Sequence, residues 1–473
     1  MSVGHPKAAI LRKVSISSVD DDARAFAPVD LPVANRMREE TSATKHALLS
    51  SIKTWVLCAI LLVLASTYGF SFERGSKNTT AGTAEQGVSA GDSEESGIIK
   101  LQKNAIYVLS ILIMLPLAGS IGAEFRRNLV ISCLLLWAVL SFTWSTDPTA
   151  SLATSLRMTI DVALAFYLFN RYPKNDLLKL FVFVGSMAAA GSIVLIFMFP
   201  QYGLMNREAA YAFGAWQGIF GQKNICGRMM TLLLLPIFFV KLEGRWARLF
   251  RFSYVMVVLI IVAMTRSAGS WMLCAACLAF VAAVHLGVKM RRIDALCLGL
   301  VALGAMVVVG AIVLSNPAPI LALIGKDPTM TGRTGIWSSI MVSISKRPYL
   351  GYGYFAFWKG LYGESANVVL QAHWPGMSYA ENGVLELWLE IGAVAVVLYA
   401  LIFFTAVKDA FYCLRRYPSK STMWYASLLF YVGFTNLWAG NLLAASNLEC
   451  VIPFIAYAGL RKEARRIRGL QVA

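Results

Sequence analysis

From residue 52 onward the chain alternates long apolar runs with short polar connections. The runs lie at 52–70, 98–118, 129–142, 152–169, 177–199, 225–240, 293–314, 384–406, 423–439 and 448–460. Most have the length of roughly 17–25 residues that a helix needs to cross about 30 Å of hydrocarbon. A further run, 252–286, is too long for one span, and Thr265-Arg266-Ser267-Ala268-Gly269-Ser270 supplies the turn that splits it into two. The pattern predicts an all-α, polytopic membrane protein with about twelve transmembrane helices. Alternation at the ten-residue spacing of an outer-membrane barrel is absent. So are the paired halves of a repeat-built transporter.

The polar interruptions divide this pattern. Residues 1–51, with Asp20-Asp21-Asp22 and scattered Arg and Lys, read as a mobile cytoplasmic tail. About fifty mostly polar residues precede the first run, so that run is expected to stay as an uncleaved span. Residues 73–97 are rich in Gly, Ser, Thr and acids and read as a flexible outside loop. The longest interruption, 315–382, falls between the ninth and tenth spans and is dense in Trp, Tyr, Arg and Gly. A connection of that length and composition is expected to be functional. The predicted organisation is thus a tail (1–51), a transmembrane domain (52–460) that includes the 315–382 loop, and a basic tail (461–473).

Composition agrees with the pattern: 58% of the 473 residues are hydrophobic and only 15% charged. The mean hydropathy is +0.62. The net charge of +17 does not indicate nucleic acid, because the basic residues sit in short connections on alternate sides of the spans. By the positive-inside rule these connections and both termini are cytoplasmic, which turns the 315–382 loop outward. The eight cysteines lie in or beside apolar runs. Cys274-x-x-Cys277 lacks a second pair at metal spacing and reads as packing.

Several stretches together resemble the O-antigen ligase and polymerase superfamily, most nearly its ExoQ-like exopolysaccharide polymerases. They are Gly218-Ile219-Phe220-Gly221-Gln222-Lys223-Asn224-Ile225-Cys226-Gly227, Thr265-Arg266-Ser267, and Gly325-Lys326-Asp327 through Thr331-Gly332-Arg333 to Ile336-Trp337. Arg347-Pro348, Leu350-Gly351-Tyr352-Gly353, Asn382-Gly383 and Leu385-Glu386 follow in the same order. The resemblance covers roughly 137–459. It implies an inner-membrane glycosyltransferase acting on the periplasmic side, without metal, nucleotide sugar or other cofactor. Such enzymes take a sugar chain from undecaprenyl diphosphate and join it to another lipid-linked sugar. Their expected partners are the bilayer, both lipid-linked substrates, a chain-length regulator and a flippase. A ligase that transfers glycan to a lipid or other terminal acceptor is the near alternative, and a flippase or permease without catalysis is the distant one. The family often has His before the Asn of the closing motif, where this chain has Glu381.

A diphosphate leaving group calls for fixed cations, which Arg supplies with a planar, permanently charged fork. Arg333 in Thr-Gly-Arg-Thr is the first candidate, against a loop-fixing role. Arg266 is the second, with contact to lipid headgroups as the alternative. Lys223-Asn224 opens a helix, where either a phosphate site or an Asn224 cap fits. Arg347 and Arg207 rank lower. Arg157 and Asp161 stand one turn apart in a span, either as a structural pair or with Arg157 reaching phosphate. An attacking hydroxyl needs a base. Glu381 is the candidate, His373 the reserve, and Asn382 stands beside Glu381; Glu386 and Glu390 follow at four-residue spacing and could line a cavity. Trp337, Tyr352 and neighbouring aromatics offer faces for sugar rings or for the membrane interface.

Overall fold

The computed structural model describes residues 52–66, 97–205, 213–289, 333–372, 377–440 and 442–469. Residues 1–51, the 73–96 segment, the 293–314 run, Arg207, His373 and Trp374 lie outside them. The described residues form helices joined by turns and loops, with an isolated bridge between Leu204 and Trp216.

Fourteen of the described helices are numbered here: α1 (Ile52–Ser66), α2 (Gly97–Met114), α3 (Ala118–Arg127), α4 (Leu129–Leu140), α5 (Pro148–Arg171), α6 (Lys174–Met198), α7 (Lys223–Leu234) and α8 (Ala247–Met264). They continue with α9 (Ala268–Lys289), α10 (Arg333–Lys346), α11 (Ser365–Gln371), α12 (Gly383–Arg416), α13 (Lys420–Thr435) and α14 (Leu448–Gly469). Among the described residues, six helices are long and apolar enough to cross a membrane: Asn104–Arg127, Pro148–Arg171, Lys174–Met198, Ala247–Met264, Ala268–Gly287 and Gly383–Arg416. The first joins α2 to α3 through a tighter turn at Leu115–Leu117, with Pro116 inside it. The expected split of 252–286 occurs at Thr265–Ser267, between α8 and α9. Other expected spans are shorter: α13 has 16 residues, about 24 Å at 1.5 Å per residue.

The core is organised around α14. Every residue from Leu448 to Leu460 is buried, and the helix packs against α5, α12 and α13. A helix apolar on all sides belongs in an interior. Gly459 sets the approach to α13, since a Cβ there would lie 2.4 Å from the Tyr425 ring. The helix runs on to Gly469 through the basic residues that the sequence assigned to a tail.

The helices alternate direction, which sorts their charges. One end of the bundle gathers the basic residues: Arg461 and Arg468 donate to Asp409 at 3.2 and 2.8 Å, and Lys174 pairs with Glu463. Arg251 binds the Val240 carbonyl at 3.0 Å and Asn175 binds the Lys241 backbone. The starts of α5, α7, α9, α12 and α14 lie at the opposite end, which holds the candidate site.

Candidate functional site

The centre of that end is a break in α12. Ile391 and Gly392 leave helical geometry, with Gly392 at φ 77°. The sequence showed one continuous span here. A break frees carbonyls in an apolar setting, where each must find a donor. The chain after α10 and Trp137 of α4 supply them. Tyr352 N donates to Leu389 O at 3.1 Å, Gly353 N to Glu390 O at 2.8 Å, and the Trp137 indole to Ile391 O at 2.9 Å. In return Ala393 N donates to Pro348 O at 2.9 Å. Contact is backbone to backbone: a Cβ on Gly392 would lie 2.0 Å from Tyr349 O, and one on Gly351 would lie 2.4 Å from Glu390 O. The Leu350-Gly351-Tyr352-Gly353 motif is therefore the plug that seals the broken helix.

The loop has its own apolar core. Tyr352, Phe357 and Trp358 pack with Ile336, Ile340, Val368 and Val369. The Tyr352 hydroxyl donates to Ser343 O at 2.9 Å, and the Arg347 guanidinium covers its ring at 5.0 Å. Burial raises the tyrosine's pKa, with Glu364 adding to the effect. Tyr352 and Arg347 are thus committed to one another in the fold. A second anchor is Thr146, which accepts from Lys359 Nζ at 2.8 Å and donates to Ala356 O at 2.8 Å.

A cleft opens between this loop and the 440–444 segment, lined by Phe355, Gly383, Glu386, Leu387, Glu390, Gly440 and Leu442–Ala444. Glu386 and Glu390 line it, as their spacing suggested. Glu386 accepts from the Trp358 indole at 2.7 Å and from Ala380 N at 2.5 Å. Glu390 stands one turn beyond Glu386 on α12 and is equally buried.

Glu381 immediately precedes the cap of α12, is 5% exposed, and has φ +53°. It is not among the residues lining the cleft. Asn382 is the N-cap, accepting from Val384 N and Leu385 N at 3.0 and 3.1 Å, while its amide donates to Leu437 O. The Trp337 indole donates to Ala380 O at 3.0 Å. This bond sets the first turn of α10 beside Glu381, and Arg333 opens α10 one turn before Trp337.

The other cations reach the same end. Lys223 begins α7, whose N-cap is Gln222 and not Asn224: the Gln222 side chain accepts from Asn224 N and Ile225 N at 2.6 and 3.0 Å. Gln has the reach to do this because Gly221, left-handed at φ 70°, turns the chain ahead of it. Asn224 instead accepts on its carbonyl from Ser270, just past Arg266. Arg266 is exposed, has φ 50°, and donates to Phe213 O at 3.2 Å. Trp438, next to the Leu437 carbonyl that holds Asn382, packs over Gly269. The end of α13 thus bridges the Lys223–Arg266 corner to the Glu381–Asn382 corner.

Arg157 lies on α5, and of its two readings the ion pair with Asp161 is not formed. Asp161 is instead held by the Tyr107 hydroxyl at 3.2 Å and by Ser446 N at 2.9 Å. Those two partners come from distant runs, so no local spacing pointed to them. Sequence reasoning also passed over Arg228, which lies 3.6 Å from Glu449 with both buried. Tyr431 donates to Glu449 at 2.6 Å. An Arg five residues past Lys223 in an apolar run was a legible signal for such a pair.

Fold and site together define a multi-pass α-helical membrane protein. Residues 252–400 match the family model described as O-antigen ligase. The chain is also 24% identical over 355 residues, 70% of its length and 75% of the relative's, to the exopolysaccharide production protein ExoQ of Rhizobium meliloti (strain 1021). These similarities support a membrane enzyme of the O-antigen ligase and polymerase type.

Proposed function

We propose that the chain polymerises carrier-diphosphate-linked oligosaccharide repeats into exopolysaccharide. The observation that carries this reading is the convergence at one end of the bundle. The cleft and its buried carboxyls, the Arg333 turn, Lys223 and Arg266 all gather opposite the basic end. By the positive-inside rule that end faces away from the cytoplasm, where a lipid-borne diphosphate is reached from the outer leaflet. ExoQ, a relative over three quarters of its own length, is an exopolysaccharide production protein. That favours polymerase over ligase.

In this reading Arg333, Lys223 and Arg266 hold the diphosphate and stabilise the charge that grows on the leaving oxygen. An acceptor hydroxyl attacks the anomeric carbon and gives its proton to a carboxyl at the start of α12, with Glu381 put forward by the resemblance. One displacement inverts the anomeric configuration. The test is purified protein in nanodiscs with a polyprenyl-diphosphate-linked oligosaccharide. Chains of increasing length with inverted linkage are expected. Transfer only to a different lipid acceptor would make it a ligase, and movement of donor across a vesicle bilayer without a new bond would make it a flippase.

A further inference from the structure

We propose that the proton acceptor of this transfer is the buried pair Glu386 and Glu390, with Glu381 as a positioning residue; this deepens, and rests on, the transferase reading above. Both members of the pair are 5% exposed and both line the cleft, whereas Glu381 does not. They stand one helical turn apart on one face of α12. Two carboxyls so close in a buried site do not both ionise readily, so the pair is expected to share one proton and to have room for another.

The surroundings fix the carboxyls without consuming that capacity. The Trp358 indole and Ala380 N hold the two oxygens of Glu386. Donors of this kind preorganise a carboxylate at a set position. Tyr354 faces Glu390 from the loop, and Asp161, Tyr107 and Cys450 lie within charge range of Tyr354. The Tyr354 hydroxyl is committed to Leu443 O and that of Tyr107 to Asp161, so neither competes for the cleft. Glu381 has a different task. Its left-handed backbone reverses the chain between the Trp337-bound Ala380 carbonyl and the Asn382 cap, which returns Ala380 N to Glu386.

The step balances as follows. The acceptor oxygen bonds to the anomeric carbon while the bond from that carbon to the phosphate oxygen breaks. Its electron pair leaves on the diphosphate. The hydroxyl proton passes to the pair, whose charge goes from minus one to zero, and is returned to water as product departs.

The experiment compares E390Q, E386Q and E381Q in nanodiscs with a polyprenyl-diphosphate-linked oligosaccharide that the wild type elongates. E390Q is expected to lower kcat about 100-fold or more. It should leave KM for donor within about threefold and remove the acidic fall of the kcat/KM profile. E381Q is expected to keep that fall. Wild-type kcat and pH profile in both E386Q and E390Q, or loss of the acidic fall in E381Q, would overturn the assignment. Infrared spectra give a reading that does not depend on a variant folding: wild-type protein without a buried protonated carboxyl band also overturns it. A wild type that forms no glycosidic bond from any such donor defeats the transferase reading instead.

Discussion

The amide of Gly353 donates to the carbonyl of Glu390 at 2.8 Å, so the loop and the broken helix that carries the cleft acids are one hydrogen-bonded unit. Glycine at 392 is required by that unit. Gly392→Ala places a methyl 2.0 Å from a carbonyl oxygen and forces an alanine into left-handed backbone. The expected cost is about 3 kcal/mol or more. It is read as a large fall in the thermal midpoint, with lost activity.

Trp137 offers a milder test of the same unit. Trp137→Phe keeps the ring and removes the donor to the Ile391 carbonyl. An orphaned buried acceptor costs roughly 1–3 kcal/mol. A thermal melt in lipid should show that loss, and wild-type stability in this variant would mean that another donor serves the break.

The buried Arg228–Glu449 pair predicts a non-additive result. Removing Arg228 alone strands a carboxylate that is 3% exposed, at a cost of about 3–5 kcal/mol. Arg228→Met combined with Glu449→Gln should be less damaging than Arg228→Met alone. A double-mutant cycle measures the difference.

Asp147 supplies a pH dependence. Its carboxylate caps α5, accepting from Ala150 N at 3.1 Å, and that bond, chiefly, holds its pKa below the ordinary value. A depressed folded pKa gives stability that is present above the unfolded value, near 3.9 for Asp, and lost as pH falls toward the folded one. Asp147→Ala should cost about 1 kcal/mol near neutral pH and progressively less as pH falls below about 4. An equal cost throughout would show that the cap does not act through its charge.

The proposed cations predict losses in catalysis with little change in folding. Arg333→Ala, Lys223→Ala and Arg266→Ala should each lower kcat/KM for the carrier-linked donor about 10–100-fold, the worth of one charge-assisted contact. Arg347→Ala should act mainly on stability, because that guanidinium covers the Tyr352 ring. Unchanged kinetics for Arg333→Ala would remove it from the site.

The helices were legible because apolar length is written locally. The Thr265–Ser270 turn was found because Arg and Ser interrupt an otherwise apolar run. The break at Ile391–Gly392 was not, since a lone glycine among apolar residues gives no sign that Tyr352 and Gly353 will supply the missing donors from forty residues away. Asp161 was seen, with a pair to the nearest Arg on the same face as one of two readings, while its partners Tyr107 and Ser446 come from elsewhere in the chain. Nor could apolar runs tell lipid-facing helices from α14, because lipid and protein interior demand the same composition.

The innermost helix is translated after every helix it separates. Until Leu448–Leu460 leave the ribosome, α5, α12 and α13 lack the one helix that all three pack against. The acids of α12 therefore reach their final surroundings only late in assembly.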